Sequence, residues 1–337
     1  MLDASCAGSL TRNVSIKPQS GPMKTKSILL AIATAGTLTS SANMASADVW
    51  TPSSNAPSQE WWSVASSSDG TKLVAVVYGG GIYTSTNSGQ TWTSNNVPAA
   101  NWYSVASSAD GMKLVAAAHG FGSPMYSSTD GGANWSPTGA PSSQFQSWTS
   151  VACSTDGAKL VAAGGYALTR HIYTSPDSGA SWVTTSAPNL SWYSVASSAD
   201  GTKLVALAWQ NDVIYTSTDS GANWSPNTVP SNYWYCVASS ADGTRLVAVV
   251  NSGGIFTSAN SGTTWTSNAV PSASWMSVAC STNGAEIVAV AAGPGLIYTS
   301  ADSGTTWTSN NVPNCYWASV ASSADGSRVV AVAASHQ

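Results

Sequence analysis

Apolar positions in this chain come in short β-rich runs separated by turn residues, and the same arrangement returns again and again. One unit reads Trp61-x-Ser63-Val64-Ala65-Ser66-Ser67-Ser68-Asp69-Gly70, then Lys72-Leu73-Val74-Ala75-Val76-Val77, then Ile82-Tyr83-Thr84-Ser85, and ends on Trp92. Four strands can be laid on it: A over residues 63–67, B over 72–77, C over 82–85 and D around Trp92. The Asp69-Gly70 pair between A and B is a strong short hairpin signal. A loop carrying Val97-Pro98 leads to the next Trp-x-Ser at Trp102. A four-stranded repeat of about 42 residues is the signature of a propeller blade.

The markers give the size of the ring. Strand A opens at Trp61, Trp102, Trp148, Trp192, Trp234, Trp275 and Trp317. The strand D tryptophans are Trp50, Trp92, Trp135, Trp182, Trp224, Trp265 and Trp307. Strand C recurs one time fewer, and Trp50 precedes the first complete unit. The expected fold is therefore all-β, a seven-bladed β-propeller of four-stranded antiparallel blades. The N-terminal strand around Trp50 closes the last blade and removes an open sheet edge. Six blades is the alternative count.

Between strands C and D stands an eight-residue pattern, S-x-D/N-x-G-x-x-W, as in Ser300-Ala301-Asp302-Ser303-Gly304-Thr305-Thr306-Trp307. Its Asp or Asn can accept backbone N–H groups, its Gly can take positive φ, and its Trp buries a ring beside the turn. The pattern resembles the Asp-box of sialidases and other Asp-box (BNR-repeat) propellers. Asn87 and Asn260 replace the carboxylate in two copies, which a turn tolerates and a general acid does not. The resemblance likewise implies that these residues are structural. Sialidases also bind substrate with three arginines and carry an R-I-P motif. Over residues 48–337 Arg170 alone among the Lys and Arg lies outside the repeated Lys/Arg position, and no R-I-P occurs. What the resemblance implies is the fold, with a non-catalytic propeller, as in photosystem II assembly factors or sortilin-type receptors, ahead of a divergent sialidase-like glycoside hydrolase.

Composition narrows the setting. Residues 1–47 stand outside the repeat. From Met23 they read as a signal peptide: Lys24 and Lys26, an apolar run over 28–35, and Ala45-Ser46-Ala47 before Asp48. A start at Met23, cleavage after Ala47 and a secreted or periplasmic propeller over 48–337 are expected. The apolar run is too short for a membrane span. Charged residues are only 8% of the chain, which carries a net charge of −4, and with no basic stripe a nucleic-acid partner is not expected. Cys153, Cys236, Cys280 and Cys315 take small strand positions in different blades, so isolated thiols are expected. No metal-ligand spacing, nucleophile elbow or phosphate loop occurs, and neither metal nor cofactor is expected. A monomer is expected.

Function has to break the symmetry of the repeat. Lys72, Lys113, Lys159, Lys203, Arg245 and Arg328 share one repeat position, and Asp69, Asp110, Asp156, Asp200, Asp242 and Asp325 share another. The B-to-C loops differ most: His119 and Phe121 in the second unit, residues 164–171 in the third, residues 209–212 in the fourth. Tyr166, Arg170, His171, Trp209 and Asp212 are the candidate ligand-binding residues, a set suited to a glycan or a protein ligand. Tyr103, Tyr193 and Tyr235, each next to a strand A Trp, are further candidates for access to solvent. The carboxylates outside the repeat, Glu60 and Asp212, belong to distant units, which leaves no clustered acid pair for glycoside hydrolysis.

Overall fold

The computed structural model describes residues 29–31, 50–53, 55–141, 147–164, 170–209, 213–230, 232–293 and 296–334. Among these every regular element is a β-strand. Strands A, B, C and D of the first unit are Trp61–Ser66, Leu73–Gly80, Ile82–Ser85 and Thr93–Ser94. All neighbouring pairs are antiparallel, in the order A-B-C-D. Five further units repeat this order, and units are numbered below by their A strands. In units 3 and 4 each set forms a separate four-stranded sheet, while units 1 and 2, and units 5 and 6, are joined by short ladders. Strand D is shorter than its signal suggested, two residues in units 1 to 5, which leaves little outer edge for another chain to pair with.

The units stand in a closed belt. Behind each A strand a backbone bond passes to the next unit: Ser68 to Ala109, Ala109 to Thr155, Thr155 to Ala199, Ala199 to Ala241, Ala241 to Thr282, Thr282 to Ala324, and Ala324 back to Ser68. The A–B turns interlock in the same sense. Gly70 has φ +69°, and a β-carbon there would fall 2.8 Å from Cβ of Arg328, so the seam between the last and first units admits only glycine.

Between units lies the core. Strand A tryptophans Trp61, Trp102, Trp148, Trp192, Trp234, Trp275 and Trp317 are at most 1% exposed. Each lies against strand B of the preceding unit: Trp102 meets Val74 and Val76, and Trp192 meets Val161 and Ala163. An aromatic ring of strand C and the Trp opening strand D cover it from its own unit, as Tyr83 (5.0 Å) and Trp92 (5.6 Å) do for Trp61. The fourteen repeat tryptophans are thus packing groups. Cys153, Cys236, Cys280 and Cys315 form no disulfide.

The S-x-D/N-x-G-x-x-W turn is a hydrogen-bond lock. Asp130 accepts from Ser128 Oγ (2.8 Å), Asn134 N (2.9 Å) and Asn134 Nδ2 (2.7 Å), and Gly132 N donates to Ser128 Oγ. Where Asn replaces Asp, its amide donates to a threonine four residues on (Asn87 to Thr91, Asn260 to Thr264), so the lock survives the exchange.

These bonds depress the turn carboxyls. Asp130 is held at about 2 by the Asn134 N–H and side-chain amide, Asp69 at about 2 by Ser67 and Thr71, and Asp242 at about 2 by Ser240 and Thr244. Folded values below the ordinary 3.8 mean that the linked stability is whole above that value and is lost as pH falls toward 2. The melting temperature should therefore be flat in acid until about pH 4 and then fall. A decline setting in well above pH 5 would contradict this assignment.

Unit 7 has strands A and B, Tyr316–Ser322 and Val329–Ala334. Its third strand is Leu29–Ala31, paired in parallel with Leu29 opposite Val330 and Ala31 opposite Val332. In the uncleaved chain this strand takes the place for which the repeat offers no strand C in unit 7. The reason is the unsatisfied edge of Val329–Ala334, which an apolar extended segment can cover in either direction. Trp50 packs on the cluster of Trp317, Val312 and Cys315, the place that Trp92 holds over Trp61 one unit on. Its indole N–H reaches Asn310 Oδ1 at 3.4 Å.

Candidate functional site

A bulge in strand A builds the site. In every A–B hairpin the register slips between the Trp and the Ser of Trp-x-Ser (Cys in unit 5): Trp61 pairs Val77 while Ser63 pairs Val76, and Trp317 pairs Ala333 while Ser319 pairs Val332. The residue between is extra to the ladder, and a bulge of this kind re-aims a side chain. The Trp goes into the inter-unit core. The Ser binds the next unit, as Ser63 Oγ accepts from Val105 N and Ser319 Oγ from Val64 N, each at 3.2 Å. The extra residue turns to the ring axis.

There Trp62, Tyr103, Thr149, Tyr193, Tyr235, Met276 and Ala318 converge on one cavity of about 100 Å³. Its lining contains no charged side chain. Tyr103 and Tyr193 share a hydrogen bond between hydroxyls (2.7 Å), and the Tyr193 ring tilts on Tyr235 at 4.7 Å. Burial drives the Tyr193 and Tyr235 hydroxyls above the usual phenol range, so both stay protonated. Between Tyr103 and Tyr193 in the order of units, Thr149 turns back to bond the carbonyls of Trp192 (2.9 Å) and Ala163 (3.2 Å). Units 1, 2, 4 and 5 thus give the axial floor an aromatic residue, and units 3, 6 and 7 a smaller or aliphatic one.

Residues at the B-to-C end extend the aromatic surface. Tyr78 lies 5.4 Å from Trp62, His119 stacks on Tyr103 at 4.9 Å, and Trp209 stands edge-on to Tyr193 at 4.9 Å. Burial lowers His119 below the usual imidazole value, so its ring is neutral at pH 7. Phe121 and Tyr233 are 72% and 63% exposed.

Of the candidate residues read from sequence, Trp209 joins this cluster through Tyr193. His171 packs instead on Tyr173 of its own unit (6.2 Å), and Arg170 is exposed. Tyr166 and Asp212 lie outside the described residues. Trp62, Tyr78 and Met276 were not singled out from sequence. The signal for Trp62 and Met276 was the middle position of Trp-x-Ser, which varies from Trp to Ala while its neighbours stay nearly constant, and Tyr78 near the end of strand B had none.

The described aspartates with shifted carboxyls, from Asp69 to Asp325, all shift downward and sit in repeat turns. A glycosidase acid needs the opposite. Among the described residues no cluster of His, Cys, Asp and Glu could hold a metal ion. No described helix is long and apolar enough to cross a membrane.

No protein-family model matches the chain, and no curated protein matches it. Solved structures do. YCF48 bound to D1 peptide is 21% identical with a TM-score of 0.59, over 77% of this chain and 86% of that one. YCF48 from Cyanidioschyzon merolae is 17% identical with a TM-score of 0.63, over 82% and 92%. The GH74 enzyme of Niastella koreensis is 19% identical with a TM-score of 0.60, over 87% of this chain and 46% of that one. The likeness is one of fold. The chain is an all-β propeller built from four-stranded blades.

Proposed function

We propose that this propeller is a non-catalytic binding module that holds a polypeptide segment across its axial aromatic face. The observation that carries the reading is the axial cavity. About 100 Å³ is room for one side chain rather than a whole ligand, and its wall is neutral and carries the rings of Trp62, Tyr103, Tyr193 and Tyr235. A chain lying over Trp62, Tyr78 and Trp209 could anchor one apolar residue there, an arrangement common to peptide-binding surfaces. That YCF48 has been solved with a D1 peptide supports a protein ligand by analogy of fold only. A glycan would use the same ring faces. Hydrolysis is the weaker reading, because no carboxylate lines the cavity. An array carrying both peptides and glycans tests the proposal: selective capture of peptides supports it, and capture of glycans alone overturns it.

The same reading takes the ring as seven-bladed, its repeat as of Asp-box type and the protein as an exported monomer. The closed belt and the position of Trp50 support the blade count. Export rests on the sequence around Ala45-Ser46-Ala47, and it would remove the parallel strand Leu29–Ala31. Exported material should begin at Asp48 on N-terminal sequencing. Soluble, folded, exported protein still bearing residue 29 would refute the cleavage.

A further inference from the structure

Clefts separate adjacent units on the face that carries the A–B turns, and they are unequal. The cleft between units 4 and 5 encloses about 10 Å³, and that between units 5 and 6 about 90 Å³. Between units 3 and 4 it opens to about 780 Å³. A volume of that order belongs to the range of small-molecule sites.

One residue position differs along with the volume. Three residues after the strand D Trp, units 1, 4, 5 and 6 carry Asn95, Asn227, Asn268 and Asn310. Each of these side chains is bonded to a strand C threonine, as Thr216 Oγ1 to Asn227 Oδ1 and Thr257 Oγ1 to Asn268 Oδ1, both at 3.1 Å. In units 1, 4 and 5 the amide reaches the next unit's turn: Asn95 Nδ2 donates to Gly132 O, and Asn268 Nδ2 lies 3.0 Å from where a β-carbon on Gly304 would stand. The asparagine is a plug. Unit 2 has Thr138 instead, but Gly139 then brings the backbone itself against the next unit, donating to Gly179 O at 2.9 Å. Unit 3 has Thr185 and Ser186, which reach the next turn only at its rim. Thr185 Cγ2 lies 3.0 Å from where a β-carbon on Gly221 would stand, and Ser186 Oγ donates to Ala222 O at 2.7 Å. The cleft beside these shorter side chains stays open.

The opened cleft is walled by Leu160, Leu204 and Pro176, with Lys159 as the only charged residue of its lining. Among the described residues the Lys159 ammonium meets Ser220 Oγ at 3.5 Å, the limit of a hydrogen bond, whereas Lys72 in unit 1 is held by Asp110 O at 2.8 Å. Asp200 of the neighbouring turn also feels the Lys159 charge, but its carboxyl is bonded to Ser198 and Thr202. Lys159 therefore keeps donors for an incoming acceptor.

We propose that the cleft between units 3 and 4 binds a small, mainly apolar molecule bearing one anionic group, with the body on Leu160 and Leu204 and the anion at Lys159. This site is remote from the axial face and independent of what binds there. The probe is 8-anilinonaphthalene-1-sulfonate, with dodecanoate as a non-aromatic competitor and dodecanol as its neutral counterpart. The expected result is saturable one-to-one fluorescence enhancement that dodecanoate displaces. Thr185→Asn restores the residue used by four other units and should weaken binding by at least about tenfold, with an unchanged or raised melting temperature. Lys159→Gln should weaken dodecanoate and leave dodecanol displacement unaltered. Thr185→Gln, a longer plug, serves if the asparagine variant does not fold. Parent-like probe affinity in a folded plug variant, or no saturable binding by the parent, overturns the proposal.

Discussion

Trp50→Ala should cost about 2 to 3 kcal/mol of unfolding free energy, below the full range for a completely buried tryptophan because this ring is half-buried. The residue lies far from unit 7 in sequence yet packs on Trp317, Val312 and Cys315 between units 6 and 7. In units 2, 3, 4 and 6 the strand D Trp donates its indole N–H within its own turn, as Trp135 to Gly132 O and Trp182 to Gly179 O, both at 3.1 Å. Trp50 has no such turn and uses Asn310 of unit 6 instead. The following residues work on the other side of the seam: Ser53 Oγ donates to Gly89 O, Ala56 packs on Trp61, and Pro57 O accepts the Trp61 indole N–H at 3.2 Å. Deleting residues 48–56 would therefore open two inter-unit cores at once, and its cost should exceed that of Trp50→Ala. Denaturant unfolding of both variants in a chain beginning at Asp48 is the measurement. Equal stability of the deletion and the parent would mean that the ring is not closed by this stretch.

The strand order and the inter-unit core were legible because each is written once per unit. Strand C of the first unit was placed at the observed bounds, 82–85, and strand A within two residues. Strand D was placed only as a neighbourhood of Trp92, since the tryptophan is anchored by the turn while the ladder begins beyond it at Thr93. Two things could not be read. The parallel strand Leu29–Ala31 answers an open edge far along the chain, a tertiary demand with no local signature. The axial floor depends on a bulge, and a bulge shifts which residue of Trp-x-Ser leaves the ladder. Ignoring that slip directs attention to the loops, where residues such as Arg170 stand out by being unusual. With the slip, the variable middle residue becomes the one aimed at the axis, and Trp62 and Met276 join Tyr103, Tyr193 and Tyr235.

Trp62→Ala should reduce affinity for a peptide found on the array by about tenfold to a hundredfold, the effect of removing a central aromatic anchor. The ring lines the axial cavity and touches both Tyr78 and Tyr103, yet it belongs to none of the inter-unit clusters that hold the fold. Its loss should leave stability within about 1 kcal/mol of the parent, as for other positions outside the core. The contrasting variant is Arg170→Ala with Trp209→Ala. Trp209 backs Tyr193 from the side, so the double change should weaken binding less than Trp62→Ala does. Calorimetric titration of the array peptide into both variants decides between two surfaces. A larger loss at Trp62 places the anchor on the axis. The reverse order, with Trp62→Ala near parent affinity, would move the ligand out to the loops of units 3 and 4 and leave the axial rings as packing that fills the throat of the propeller.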